Sequence, residues 1–262
     1  MKIVLKTFYG LEDVLADELN ELGFPESTKL NRAVQIEGDW KDVYFLNLHV
    51  RCAISVLVEL RKFRVKTEKD LYDEAKKINW SSLFDVKKTF AVKGAVNSTI
   101  FKHSQFPFLL IKDAIVDHFR DVKGERPDIN VKSPQIVVDL YVRENEGVIS
   151  VNTSGLPLFQ RGYRQSTGDA PLNEVVAAAL LRMSEWDKKT TLIDPFCGSG
   201  TILIEAALLA AGIPSNIERT HYAFKNMANY DAALWEELHA KANKLVKELP
   251  CTLIGGDIDS QM

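Results

Sequence analysis

The chain of 262 residues is long enough for about two domains of ~150 residues each. It contains 46% hydrophobic and 26% charged residues, which is typical of a globular protein and excludes a disordered or collagen-like chain. No apolar run approaches the ~18 residues of a membrane-spanning helix.

The N-terminus and the cysteines both favour a cytoplasmic protein. The first residues include Glu12, Asp13 and Asp17 where a signal peptide is apolar, so no export is predicted. The cysteines are odd in number and lack metal-ligand spacing, which is typical of free thiols and predicts no metal site; they are Cys52, Cys197 and Cys251.

The charges are distributed unevenly along the chain. Residues 61–134 contain sixteen Lys and Arg but ten Asp and Glu, a net charge of +6, whereas the rest of the chain carries −9. A basic middle segment favours an anionic partner such as a nucleic acid. The alternative is an ordinary solvated surface, and the charge count alone does not separate the two.

The first predicted elements form a small α+β unit in the order β-α-β-α-β. Period-2 alternation predicts strands, and apolar residues at spacings of three and four predict helices. These patterns place strands at 2–8, 33–37 and 54–63 and helices at 10–22 and 40–50.

A second unit follows in the basic segment. Helices are predicted at 68–78 and 108–122, with a strand at 90–96 between them. Two further strands, at 136–143 and 148–152, flank a four-residue turn and indicate a hairpin.

The last part of the chain begins with a Gly- and Arg-rich stretch, 155–168, that we interpret as a linker. Short apolar runs then alternate with helical patterns, which predicts a parallel, doubly wound sheet. The strands are predicted to be buried and lie at 191–194 and 251–254, and the helices lie at 172–182, 201–211 and 231–249.

The run DPFCGSGT, residues 194–201, is the motif that indicates chemistry. Its two glycines let the backbone approach a ligand closely, and the helix that follows presents unpaired N–H groups and a partial positive charge. The lysine of a phosphate-binding loop is absent. Asp194 would repel a pyrophosphate but attract an amine, so an amino acid moiety fits both ends, and S-adenosylmethionine contains one.

A second acid follows the next predicted strand, at Asp257 in TLIGGDIDS. In doubly wound nucleotide-binding folds an acid at this place accepts hydrogen bonds from ribose hydroxyls. Asp194 and Asp257 would then bind the two ends of one ligand. The alternative for Asp257 alone is an N-cap of the next helix.

The motif DPFCGSGT resembles that of Rossmann-fold methyltransferases that modify exocyclic amino groups. Across essentially all 262 residues the chain is similar to the RlmL-type, THUMP-containing RNA methyltransferases, which methylate guanine N2 in large-subunit rRNA. The segments that carry this likeness, in order, are GLEDVLADEL, INWSSLF, SQFPFLLIKDAIVDHFR, NTSG, LFQRGYR and APLNEVVAAALL.

The resemblance implies an α/β protein with three parts. These are a ferredoxin-like α+β domain at 1–62, a THUMP RNA-binding domain at 63–155, and the N-terminal part of an S-adenosylmethionine-dependent, Rossmann-like methyltransferase domain at 156–262. The implied partner is RNA, 23S rRNA or its precursor, with no membrane.

The resemblance also implies roles for single residues. The cofactor is S-adenosylmethionine, and the residues expected to bind it are Asp194, Phe196, Gly198, Ser199, Gly200, Thr201, Asp257, Ile258, Ala170, Pro171 and Leu172. Candidate phosphate contacts to RNA are Lys87, Lys88, Lys93, Lys102, Lys112, Arg120, Lys123, Arg126 and Lys132, together with Arg161 and Arg164. For these last two, salt bridging within the linker is an equal alternative.

The sequence departs from the family in lacking the Asn/Asp-Pro-Pro-Tyr/Phe motif that holds the amino group to be methylated. No catalytic residue is therefore predicted within the chain, and we expect that motif beyond Met262 in a longer protein. Glu205 and Cys197 are expected to be structural. The alternative functions are a DNA adenine-N6 methyltransferase and a non-catalytic RNA-binding protein.

Overall fold

The computed structural model describes residues 1–101, 103, 105–164 and 171–258. The chain divides into two compact units. The first unit consists of Met1–Ile3, Leu57–Gly155 and His221–Asp231, and the second consists of Val4–Val56, Leu156–Thr220 and Ala232–Met262. The second unit therefore contains both residues 4–56 and the segment with DPFCGSGT.

The N-terminal elements confirm the predicted α+β pattern. Helices α1 (Glu12–Glu21) and α2 (Trp40–His49) accompany strands in the order β2-β3-β1. The strands are β1 (Lys2–Lys6), β2 (Ser27–Leu30) and β3 (Ala33–Glu37), and β2 pairs antiparallel with β3. Strand β2 was not predicted, because three of its four residues are exposed and the strand shows no apolar alternation.

A buried carboxylate on α1 fixes the segment that follows α2. Glu18 accepts the backbone N–H groups of Arg51 and Cys52 at 2.8 and 2.9 Å. These two hydrogen bonds satisfy donors that would otherwise be buried without partners. The Asp39 and Asp42 side chains form a capping box that begins α2.

The sheet of the first unit has the strand order β4-β7-β6-β5. The hairpin β6–β7 is antiparallel, β4 pairs antiparallel with β7, and β5 pairs parallel with β6. Helices α3 (Glu68–Lys76) and α4 (Phe106–Lys123) pack together. The strands are β4 (Ser55–Arg64), β5 (Phe90–Asn97), β6 (Ile136–Arg143) and β7 (Glu146–Asn152).

The remaining elements of the second unit follow the predicted strand–helix alternation. Strands β8 (Leu192–Asp194) and β9 (Leu253–Gly255) pair in parallel. Helix α6 (Thr201–Ala210) packs on both strands and on α5 (Glu174–Met183), while α7 (Ala232–Lys244) packs on α2.

The prediction that β8 and β9 are buried is wrong for part of their surface. Ile193 is 62% exposed and Ile254 is 47% exposed. The two residues are register partners, so both side chains lie on one face of the pair. Within the described residues, α6 is the helix that packs on both strands, and this accounts for the exposure of the other face.

The interpretation of 155–168 as a linker is also wrong for its described part. Leu158 is fully buried and Arg161 is 1% exposed, and Leu158 donates its N–H to Ile54 O at 2.7 Å. Residues 156–164 are thus packed within the second unit. None of the helices in the described ranges is both long and apolar enough to cross a membrane.

Gly94 marks a close approach of two parallel strands in the first unit. Its φ is +147°, and a Cβ at this position would lie 1.8 Å from Leu140 O on the neighbouring strand. Gly124 offers a comparison in the same unit, because it also has a positive φ, +73°, but a Cβ there would meet nothing within 4 Å.

We expect Gly94→Ala to lower the free energy of unfolding by about 3 to 5 kcal/mol, since it combines a backbone clash with an unfavourable φ. Gly124→Ala retains only the conformational cost and should lose about 1 kcal/mol. Urea denaturation of both variants in the full chain measures the difference. Equal losses would show that the clash at Leu140 is absent.

Candidate functional site

The loop between β8 and α6 has a backbone that requires glycine. Gly198 and Gly200 have φ values of +50° and +76°, in the left-handed region that other residues rarely adopt. A Cβ added to either glycine would meet nothing within 4 Å, so open space lies beside the loop. The loop therefore leaves room for a ligand next to its main chain, at the N-terminus of α6.

The tips of β8 and β9 are joined by three hydrogen bonds. Gly256 donates its N–H to Asp194 O at 2.9 Å, and Cys197 donates its N–H to Gly256 O at 2.9 Å. Gly198 donates its N–H to Asp257 Oδ2 at 2.8 Å. The expected proximity of the two strand tips, with Asp194 at one and Asp257 just beyond the other, is thus present.

The acids and apolar side chains at this junction are accessible. Asp194 Oδ1 accepts the Phe196 N–H at 3.2 Å, and the Asp257 carboxylate is exposed. Phe196 is 87% exposed, and Ile258 is also fully accessible. Two carboxylates and two apolar side chains near the loop in sequence or by hydrogen bonding are therefore accessible to a ligand.

Gly255, which was not singled out in the sequence, determines how closely the loop packs on β9. A Cβ at this position would lie 2.6 Å from Leu203 Cδ1 and 3.0 Å from Cys197 Sγ. Cys197 is thus a small packing residue against β9. The Gly255-Gly256 pair directly before Asp257 is the signal by which this close contact could have been found.

Arg164 connects two segments expected to bind the cofactor, one at Leu172 and one at Thr201. Its guanidinium donates to Thr201 Oγ1 at 3.2 Å, to Leu172 O at 3.1 Å and to Glu174 Oε1 at 2.9 Å. Leu172, expected to line the pocket, is thereby linked to the first residue of α6. Pro171 is exposed, and Ala170 lies outside the described residues.

The expectation that Arg161 contacts RNA is corrected by its burial. Its side chain is 1% exposed and donates to Glu205, Leu158 and Arg51. Arg164 is 19% exposed and forms a salt bridge with Glu174. Both arginines therefore form salt bridges within the protein, and every nitrogen of the Arg161 guanidinium donates to a protein acceptor.

The candidate phosphate contacts of the first unit differ in their surroundings. Lys112 pairs with Asp113, Arg120 pairs with Asp117, and Lys88 donates to Asn226. A groove of about 560 Å³ beside α4 is lined by as many acids as basic residues, which makes it a poor phosphate channel. The other candidates are exposed, namely Lys87, Lys93, Lys123, Arg126 and Lys132, while Lys102 lies outside the described residues.

The polar groups at the β8–β9 junction fit the expected cofactor. Backbone N–H groups at the start of α6 suit a carboxylate, Asp194 suits an ammonium group, and Asp257 suits hydroxyl groups. Within the described part of the chain, no group of three or more His, Cys, Asp or Glu side chains is placed to hold a metal ion.

Comparison with known protein families matches three successive segments of the chain. Residues 2–57 match the RlmL ferredoxin-like domain, residues 65–152 match the THUMP domain, and residues 161–262 match the RMKL-like methyltransferase domain. The order of the three is the predicted one. The methyltransferase match agrees with the predicted cofactor, S-adenosylmethionine.

Solved structures show the same architecture. A protein of Listeria monocytogenes str. 4b F2365, described as a predicted N6-adenine-specific DNA methylase, is 27% identical with a TM-score of 0.90, over 99% of this chain and 68% of that one. SMU.472 in complex with SAH is 24% identical with a TM-score of 0.87, over 100% of this chain and 69% of that one.

TrmN from Thermus thermophilus shares the fold at 22% identity and a TM-score of 0.66, over 98% of this chain and 73% of that one. The three domain matches together extend over nearly the whole sequence, and they occur in one order. The chain belongs to the THUMP-containing, RlmL-like methyltransferase family.

Proposed function

We propose that this protein transfers a methyl group from S-adenosylmethionine to the exocyclic N2 of a guanine in large-subunit rRNA. The observation that carries the proposal is the junction at the tips of β8 and β9, where the open glycine loop lies beside Asp257. The THUMP domain and the resemblance to RlmL-type enzymes support RNA as the substrate.

Each group at the junction would hold one part of the methyl donor. The N–H groups at the start of α6 would bind its carboxylate, and the helix dipole adds about 0.3 to 1 kcal/mol. Asp194 would bind the ammonium group, and Asp257 would bind the ribose hydroxyls. Phe196 and Ile258 would pack on the adenine.

When bound, S-adenosylmethionine supplies a methyl group on a positively charged sulfur, which an amino nitrogen can attack. The role of the chain's own residues is to bind and orient the donor. Orientation of reacting groups can lower a barrier by about 7 to 11 kcal/mol, so small displacements of the 195–200 loop should affect the rate.

A DNA adenine-N6 methyltransferase is the second candidate. It is favoured by the 27% identity to the Listeria protein described in those terms. The same donor site would serve either reaction, because both modify an exocyclic amino group. The THUMP domain at residues 65–152 favours RNA over DNA. A non-catalytic RNA-binding protein is the third candidate, and it would need no donor site.

We expect Gly198→Ala to weaken the binding of S-adenosylhomocysteine at least about tenfold, because its Cβ would project into the space proposed for the donor and strain a φ of +50°. Gly212→Ala is the matched control, since its φ is +69° and its Cβ would make only an ordinary contact, at 3.5 Å. Calorimetry on both variants measures the dissociation constants. Equal affinities would place the donor elsewhere.

We expect Asp194→Ala to reduce methyl transfer from labelled S-adenosylmethionine into rRNA by at least about a hundredfold, since the ammonium group loses its carboxylate. Asp17→Ala, on the exposed surface of α1, should retain activity. The substrates compared are protein-free large-subunit rRNA and duplex DNA. Full activity of Asp194→Ala contradicts the site, and labelling of DNA adenine instead of rRNA favours the second candidate.

We expect the triple variant Lys93→Glu, Lys123→Glu, Lys132→Glu to bind rRNA more weakly. The slope of log affinity against log salt should fall by about 2, because each phosphate contact to single-stranded RNA contributes about 0.7. The control is Lys41→Glu, Lys189→Glu, Lys247→Glu, which changes net charge equally at exposed lysines of the second unit. Equal losses in both triples would exclude a local RNA surface.

A further inference from the structure

A buried ionic cluster lies beneath the glycine loop, within the second unit. Glu205 is on α6, one helical turn after Thr201, and its side chain is fully buried. Arg161 and Arg51 approach it from two other segments of the same unit, with exposed fractions of 1% and 7%. The structural role expected for Glu205 therefore has identifiable partners.

The carboxylate of Glu205 is held from one side by the RGYR segment, residues 161–164. Its Oε1 accepts from Arg161 Nε at 3.3 Å and from the Tyr163 hydroxyl at 3.0 Å. Arg161 also donates to Leu158 O at 2.9 Å and to Arg51 O at 2.6 Å. A single guanidinium thus joins α6 to the segment that follows α2.

Arg51 faces the other oxygen of the same carboxylate. Its Nη1 lies 4.0 Å from Glu205 Oε2, and neither atom has a hydrogen-bond partner. Its Nη2 donates to the carbonyl oxygens of Leu208 and Ile213 near the end of α6. Burial lowers the pKa of Arg51, and the negative charges of Glu205 and Glu18 oppose that effect.

The Glu205 carboxylate also affects the pKa of Tyr163. Burial is the main cause that raises the pKa of Tyr163 above its ordinary value. The negative charge of Glu205 and the hydrogen bond to it raise this pKa further. The phenol is therefore a permanent donor to Glu205. Arg164, the next residue, contacts α6 one turn earlier, at Thr201. The RGYR segment thus contacts α6 at two successive turns, Thr201 and Glu205.

We propose that Arg161 and Tyr163, acting through Glu205, are positioning residues for the donor-binding loop. They hold the first turns of α6, and hence the N–H groups of Ser199 and Thr201, in the orientation that the donor needs. Through Arg51 the same cluster makes donor affinity depend on the ferredoxin-like segment. This inference rests on the proposed function, because it requires a donor at the loop.

A purely structural cluster would behave differently from a positioning one. Removing a structural contact lowers the stability of the protein but leaves the donor affinity of the folded molecules unchanged. Removing a positioning contact weakens donor binding and raises the KM for the donor, with little effect on RNA affinity. The donor dissociation constant of folded protein is therefore the discriminating measurement.

The variants are Tyr163→Phe, which removes one hydroxyl, and Glu205→Gln, which keeps the shape of the side chain but removes its charge. The matched controls are Tyr9→Phe and Glu26→Gln at exposed positions. Calorimetry with S-adenosylhomocysteine should show dissociation constants raised by about three- to tenfold for Tyr163→Phe and more for Glu205→Gln. The double variant should be less than additive, because both changes remove the same contact.

Wild-type affinity in Tyr163→Phe would overturn the positioning role, and this variant decides the matter if Glu205→Gln fails to fold. A parallel loss of RNA affinity in Tyr163→Phe would also overturn it, because the defect would then be general. Absence of S-adenosylhomocysteine binding by the unaltered protein would instead overturn the proposed function together with this inference.

Discussion

The hydrogen bond from the Gly198 N–H to the Asp257 carboxylate is the interaction on which the site depends. It links the loop after β8 to the turn after β9, and two backbone hydrogen bonds between Asp194, Cys197 and Gly256 reinforce it. Parallel pairing brings both strand tips to one edge, and the positive φ of the glycines turns the loop across that edge. The space beside the loop is open because no side chain projects from its two glycines.

Beneath this junction the second unit combines apolar packing with buried charge pairing. A carboxylate on α6 is buried beside two guanidinium groups, and its charge offsets part of the hydration that the two arginines lose. The cluster depends most on Glu205, since removing its charge leaves two buried guanidinium groups without their shared carboxylate. It fixes the direction of α6 more specifically than apolar contacts would, because hydrogen bonds to Glu205 have preferred geometries.

Features that depend on residues adjacent in the chain could be predicted from the sequence. Gly198, Gly200, Asp194 and Asp257 were predicted because a strand, a glycine turn and a helix start are adjacent in the chain, and the helix and strand order followed from periodicity. The role of Arg161 could not be resolved in this way, since its partners Glu205 and Arg51 lie 44 and 110 residues away. The predicted burial of β8 and β9 was too high. An apolar run shows that a strand can be buried, but it does not show whether another element packs on each face of the strand.

The discontinuous second unit has a consequence for synthesis on the ribosome. Arg51 is translated 162 residues before Ile213, whose carbonyl oxygen accepts its hydrogen bond. At ~5–20 residues per second, translation of this stretch takes about eight to thirty seconds. During that interval the Arg51 guanidinium has neither the carbonyl oxygens of α6 nor Glu205, and it remains hydrated. The contacts of the ferredoxin-like segment with α6 therefore form only after the THUMP segment has been translated.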